Sequence, residues 1–470
     1  MHNRVIYLYT MFLVLVLSAC KVGQNYQQPE LPAPAQYRTV TTSDTSTIAD
    51  IGWKEFFTDT TLQGLISRGI SYNYDLQLAL KRVATSQEQL KQAKMLILPE
   101  LNLNISGQTT DPSNNSLNGI SLGTFLGKSR LEDYTAAVNL TWEADVWGKL
   151  RRQKEAALAS YLETYEASRA VQTQVVASIA QGFYNLLMLD AQLDIARKNL
   201  VLNDSTLLFT RLQRDAGEVT TLAVQQAEAL KQSTELLIPQ LQQSIALQEN
   251  ALSILTGVAP DTVKRSVTLY QLQVPDQLNA GVPAEVVSRR PDVRASEMAL
   301  IAATAEVGVA QGAMYPTLSM TAQGGVNSFL ASNWFSLPSS LFGTLVGSVS
   351  QPIFQRRRLK TNYEVAKIQR DQSVIAFKQS VLNAVGEVSD ALVKNNKLKE
   401  QEKIAASQVA TLQGAIKSAK LLYRSGMANY LEVITAQGNV LNAELNLASV
   451  ERQRLGAVVD LYRSLGGGWK

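Results

Sequence analysis

The sequence predicts an α+β membrane protein in which each chain supplies four transmembrane β-strands and long, coiled-coil-like α-helices. Three observations predict it. Twice, a pair of segments alternating apolar with polar residues is followed by a helix-like run of more than sixty residues without a proline. At about 1.5 Å per residue, each run is a rod of about 100 Å, far longer than an ordinary domain is wide. The chain also opens on an export signal, and no later segment approaches the ~18 consecutive apolar residues of a spanning helix.

The elements follow in order. Arg4, an apolar stretch from Val5 to Leu17 and the tetrad Leu17-Ser18-Ala19-Cys20 read as a cleaved signal peptide over residues 1–19. The tetrad resembles a bacterial lipobox, in which cleavage leaves a lipidated N-terminal cysteine, and Cys20 is the sole cysteine of the 470 residues. Residues 20–61 then form a lipid-anchored, extended segment marked by Pro29, Pro32, Pro34 and a polar run from Thr41 to Thr47. Leu62, Leu65, Leu76, Leu80, Val83 and Leu90 space a helix of the first repeat over 62–98, which Pro99 stops.

The first β-hairpin occupies 99–147. Leu101, Leu103 and Ile105 alternate with Asn102, Asn104 and Ser106, and Tyr134, Ala136, Val138, Leu140 and Trp142 alternate with polar or small residues. A polar loop from Asp111 to about Asp133 joins them. A long helical hairpin fills 148–257. Ile179, Phe183, Leu186, Leu189, Leu193, Ala196 and Leu200 step by threes and fours along its first helix, Lys149 to Arg214. Gly217 supplies the turn, and the return helix runs from Thr221 to Leu255 with a kink expected at Pro239.

A looped region with Pro260, Pro275 and Pro283 covers 258–290, and a second-repeat helix covers 291–315. The second hairpin spans 316–355, with Leu318, Met320 and Ala322 on one strand and Leu345, Gly347 and Val349 on the other, joined by a loop from Asn327 to Ser340. A second long helical hairpin spans 356–465 and a tail 466–470. Aligning Gly217 with Gly426 also aligns Leu222 with Leu431, Val224 with Val433 and Ala227 with Ala436, so the duplication holds residue by residue.

Composition removes most chemistry. The only histidine, His2, lies in the signal segment, so Ser-His-Asp, Cys-His and His/Cys metal sites are excluded by count. The net charge of +4 is scattered, with no basic block for nucleic acid. No enzyme, metal or cofactor is expected beyond the lipid on Cys20. Four strands cannot close a membrane barrel, because single-chain barrels begin at eight and an open edge in lipid is prohibitive. Chains must therefore pool strands: two copies give eight, and three give twelve with a wider lumen.

The chain resembles the TolC/OprM family of outer membrane factors. The resemblance rests on Trp53-Lys54-Glu55-Phe56-Phe57, Asn73-Tyr74-Asp75-Leu76 and Trp142-Glu143-Ala144-Asp145-Val146-Trp147-Gly148-Lys149-Leu150. It continues through Arg290-Pro291-Asp292-Val293-Arg294, Tyr315-Pro316 and Leu465-Gly466-Gly467-Gly468-Trp469. The lipobox and the last motifs are most like the lipoprotein branch serving RND-type pumps. Membership implies a homotrimer with a 12-stranded β-barrel in the outer membrane, continued by a 12-helix periplasmic α-barrel, with 258–290 in an equatorial loop region. It implies a periplasmic adaptor and an inner-membrane RND-type transporter as partners, outer-membrane lipid around the barrel, and passive conduction of small molecules. A duct for type I protein secretion shares the fold, and a non-pore trimeric stalk is the structural alternative.

The resemblance also implies where the gate lies. Glu432, six residues after Gly426, stands where the family tends to carry an acid, and a threefold carboxylate ring there narrows the bore and attracts cations. Thr435 stands where many relatives carry a second acid. Asp215, Glu218 and Arg424 flank the tip turns of Gly217 and Gly426 and are candidates for adaptor contact or for pairing between neighbours. Trp142, Trp147, Phe329, Trp334 and Phe335 lie at expected strand ends and suit the aromatic girdles of a membrane barrel, with core packing as the rival reading for Trp147. Arg290, Pro291 and Asp292 read as a helix start. The family's glycine pair after the last strand is replaced here by Gln355-Arg356-Arg357-Arg358, which leaves that bend undetermined.

Overall fold

The computed structural model describes residues 22–31, 37, 47–272, 280, 281, 283 and 288–470; the signal segment and Cys20 lie outside them. The chain divides into two compact units. One comprises residues 1–29, 84–162 and 298–375, and the other 30–83, 163–297 and 376–470.

In chain order the elements are α1 (Trp53–Phe56), α2 (Thr60–Tyr72), α3 (Tyr74–Met95), β1 (Glu100–Thr110), α4 (Leu117–Leu126), β2 (Leu131–Ala144), α5 (Lys149–Asp215) and α6 (Thr221–Leu255). They continue with α7 (Pro291–Gly312), β3 (Thr317–Ser328), β4 (Leu341–Ser350), α8 (Arg358–Arg424) and α9 (Tyr430–Ser464).

The first unit holds one antiparallel sheet in the order β1-β2-β3-β4, so the two hairpins join through β2 and β3. Its register puts the alternating apolar residues of the four strands on one face, where Leu103 pairs with Val138, Leu140 with Ala322, and Ala322 with Leu345, while Phe342 and Val346 of β4 fall on the other. The joining loops are less irregular than expected. The polar loop of 111–133 contains α4, which Ser116 starts by accepting the Gly119 amide and Gly127 ends at φ 60°. The bend after β4 is made by Arg356 and Arg357, both with positive φ (49° and 67°). Arginines hold a left-handed conformation that glycine adopts freely, at roughly 1–2 kcal/mol each.

The second unit is helical. The single helix expected over 62–98 is instead two, because Asn73 ends α2 and starts α3. Its side chain accepts the Leu76 amide (3.0 Å) and donates to the Leu255 carbonyl (2.9 Å), contacts a continuous helix would forbid. Short structure also appears in the segment expected to be extended, with a 3-10 turn at Ile48–Asp50 and then α1. The core is apolar. Ile179, Phe183, Leu186, Leu252 and Leu461 are fully buried, and Tyr462 stacks on Phe56 at 3.9 Å while donating to the Ile51 carbonyl.

Arg290 is buried and ties the end of the second hairpin together. It donates to Asp292 (2.6 and 3.0 Å), Glu387 (2.9 Å) and the Ser464 carbonyl (3.0 Å). Burial opposes its charge, but Asp292 and Glu387 outweigh that and hold it firmly protonated. Arg265 plays the matching part in the first hairpin, bridging Asp190 of α5 (2.8 Å) and Glu249 of α6 (2.5 Å).

Candidate functional site

Two places are candidates for function, one in each unit. In the sheet, Leu101, Leu103 and Ile105 are more than 60% exposed, as are Leu345 and Val349, although they form an ordered apolar face. The opposite face carries Asn102, Asn104, Asn139, Gln323, Thr321 and Ser319. A sheet apolar on one side, polar on the other and exposed on both fits lipid outside and water inside. Among the described residues, strands β1 and β4 are its edges, each with an unpaired row of backbone donors and acceptors.

Aromatic residues mark both ends of this sheet. At the helix-bearing end, the Trp142 indole donates to the Ile97 carbonyl (2.9 Å). Trp147 lies past the end of β2, stacked on Tyr315 at 5.2 Å and donating to the Pro316 carbonyl, so it is packed into the junction between strand and helix. At the loop end, Trp334 lies 5.6 Å from Tyr134 and 5.0 Å from Phe335, and Lys128 sits over the exposed Phe329. From Tyr134 to Trp142 along β2 is about 27 Å, the height of a lipid-facing band.

The second place is the pair of helix tips. Each long helix ends in the same double-bonded turn. Glu218 and Gly217 donate to the Gln213 and Arg214 carbonyls, and Met427 and Gly426 donate to Leu422 and Tyr423. Gly217 (φ 80°) and Gly426 (φ 72°) supply the left-handed residue in each. Asn429 caps α9 by accepting the Glu432 amide (3.2 Å), which fixes Glu432 in the first turn with an exposed side chain. Thr435 lies one turn on, also exposed. Asp215 is engaged by Arg214 of its own chain (2.6 Å), and Glu218 accepts from Gln213. Arg424 is exposed, and its charge adds to burial in pulling Lys420 below its usual value.

Sequence reasoning missed the contacts that hold the tips. Tyr423 of α8 donates to Gln213 of α5 and meets Phe209 edge-on at 5.5 Å. The buried Gln437 donates to Thr206 (2.7 Å), and the buried Asn203 to Thr234 (2.9 Å). One signal was available: toward the tip the inward stripe of α5 mixes the polar Asn199, Asn203 and Thr210 with Leu207.

Comparison with known proteins identifies this combination of an open apolar sheet with paired long helices. The family model for outer membrane efflux proteins matches residues 65–258 and 282–467. The chain belongs to the outer membrane efflux protein family. It is 30% identical to the cation efflux system protein CusC of Escherichia coli K12, over 97% of this chain and 98% of CusC. It is 28% identical to the probable outer membrane lipoprotein SilC of Salmonella typhimurium, over 97% of each. Among solved structures it is similar to the outer-membrane channel OprN, at a TM-score of 0.88 and 27% identity, covering 96% of this chain and all of that one. Crystal structures of CusC match at a TM-score of 0.86 and 29% identity, with 96% and 100% covered. The protein is thus an outer-membrane efflux channel of the α+β architecture expected, and its family is one of channels rather than enzymes.

Proposed function

We propose that three copies of this efflux protein close a twelve-stranded barrel and a twelve-helix tube. The homotrimer is the exit duct of a tripartite system, taking small molecules from a periplasmic adaptor and an inner-membrane RND-type transporter and passing them outward without consuming energy. The observation that carries this reading is the open sheet: four strands in sequential order, apolar on one face, with both edges unpaired. Because β1 and β4 run antiparallel in this meander, β4 of one copy can pair with β1 of the next and leave no edge in lipid. Two copies would give only the eight-stranded size whose interior side chains fill, whereas a duct needs the larger lumen.

Glu432 is the gate residue of this proposal. Three copies of its exposed carboxylate, fixed in the first turn of α9, form a cation-attracting ring at the tips, with Thr435 one turn behind. Asp215, Glu218 and Arg424 beside the Gly217 and Gly426 turns form the surface offered to the adaptor. Phe329, Trp334 and Phe335 girdle the loop end of the barrel and Trp142 the other. Cys20, in its lipobox, carries the acyl anchor. Relatives bear names referring to cations, toluene and antibiotics, which is consistent with a duct that leaves cargo choice to the transporter. Native mass measurement of the detergent-solubilised protein tests the assembly: three copies are expected, and a stable dimer or a membrane-inserted monomer would overturn it.

A further inference from the structure

The residues just after Cys20 are held by a dock that conduction does not require. Val22 is 5% exposed, and its amide donates to the Trp147 carbonyl at 3.2 Å. Next to it, the Gly23 amide donates to Gln311 of α7 at 3.1 Å. Arg152, in the first turn of α5, folds its guanidinium back over this segment. It donates to the carbonyls of Val22 (3.2 Å) and Gly23 (3.3 Å) and to the Asn25 side chain (2.9 Å), while Glu155 holds its remaining nitrogen at 2.7 Å. The Arg152 side chain is only 12% exposed.

The backbone fits as closely as the side chains. Gly23 sits at φ +81° against Gly308, and a Cβ on Gly23 would come within 2.8 Å of the Gly308 Cα. A Cβ on Gly308 would in turn lie 2.9 Å from Arg152 Cγ. Arg152 of α5 with Gly308 and Gln311 of α7 therefore form a slot, and the stretch of chain at Gly23 fills it.

We propose that the slot formed by Arg152, Gly308 and Gln311 is the positioning site for the lipidated N-terminus, fixing where the acyl chains of Cys20 enter the membrane. The proposal rests on the lipidation of Cys20 put forward above. Two residues of chain reach at most about 7 Å, so an anchor on residue 20 stays close to the docked Val22. A free chain of nearly thirty residues, the separation of Cys20 from the turn at Ile48, has an r.m.s. reach of roughly 30 Å. The dock converts a loose tether into a fixed attachment. Val22 hangs on Trp147, which stacks on Tyr315 at the helix-bearing end of the sheet, so the lipid is delivered to the leaflet at that end, beside the β2–β3 seam. Anchoring there holds the open sheet at the membrane while chains pool their strands.

The test uses the full-length protein in outer membranes, comparing wild type with Arg152→Ala and Gly23→Val. Asn25→Ala, on the tether itself, keeps the test open should either variant misfold. Three quantities are read: acyl mass on the N-terminal peptide, amide exchange of residues 22–25, and the fraction of the membrane pool in the detergent-resistant oligomer. The variants are expected to remain acylated, to exchange at least about tenfold faster at the docked amides, and to lose several-fold in oligomer yield. Unchanged exchange would overturn the dock, and faster exchange with undiminished oligomer would overturn its positioning role, while the lipidation reading stands in both cases. An unacylated wild-type peptide would instead remove the lipidation reading itself.

Discussion

The two helical hairpins are built to one length and given different chemistry. Their boundaries are offset by the same 209 residues throughout, from Lys149 to Arg358, Asp215 to Arg424, Thr221 to Tyr430 and Leu255 to Ser464. Long helices of 67 residues and return helices of 35 recur in both. The first hairpin carries Pro239 inside its return helix, whereas the second has the buried Ala448 at the aligned position. At its tip the first presents the Arg214–Asp215 pair, and its α6 cap, Thr220, makes no side-chain bond. The second presents Tyr423, a capping Asn429 and the exposed Glu432. Equal length is what a closed tube of alternating hairpins requires. The unequal tips place Glu432, the gate residue proposed above, and its Asn429 cap on the second hairpin alone.

The largest expected effect separates the arginine staples. Arg290→Ala strips Asp292 of its arginine, leaves Glu387 to the longer contact with Arg463 (3.4 Å), and should cost about 3 kcal/mol, and Arg265→Ala somewhat less, since its guanidinium is more exposed. Hydrogen exchange should show each loss in its own hairpin, near Ser464–Gly467 for Arg290 and near Glu249–Leu255 for Arg265. Loosening of both hairpins by either change would break the comparison. Next, the Cβ added by Gly217→Ala or Gly426→Ala meets no neighbouring atom, so the cost is backbone strain and should be equal, about 1–2 kcal/mol each by thermal unfolding.

Protonation also distinguishes the second hairpin. Burial, reinforced by the Glu402 carboxylate and opposed by Arg454, pushes Glu451 of α9 up to about 7. A carboxyl that holds its proton more tightly when folded makes the fold less stable as pH rises from about 4.5 through 7. Glu451→Gln should flatten that decline, gaining about 1 kcal/mol at pH 8 once solvent screening of this half-buried group is allowed for. The smallest effect lies in the caps. Asn429→Ala should cost about 1 kcal/mol by thermal melting and Thr220→Ala only a few tenths, so equal costs would contradict the assigned asymmetry.

Much of the fold was legible because its signals are local and periodic. The long helices were bounded to within a residue or so by the absence of proline and by Gly217 and Gly426, and the strands by alternation that the lipid face demands. The break at Asn73 was not, because a polar residue within a helical pattern reads as a solvated position until Leu255 is brought beside it. Helix α4 hid for the opposite reason: Gly119 and Gly123, after the turn-like Asp111-Pro112-Ser113-Asn114-Asn115, argue for a loop, whereas the Ser116 cap and the turn at Gly127 argue for a helix. Nothing in an arginine's preferences announces the positive φ of Arg356 and Arg357. At the tips, the turns and Glu432 could be placed from sequence and resemblance. The Tyr423–Gln213 and Gln437–Thr206 contacts join residues more than two hundred positions apart, which spacing along one helix cannot reveal.

Conductance of the purified protein in planar bilayers tests most directly the proposal that this chain is one third of a gated pore. Trimers should insert and pass ions, with low conductance and cation preference in the wild type and larger, less selective conductance for Glu432→Ala. Trimers that insert and remain silent even with Glu432→Ala would contradict it.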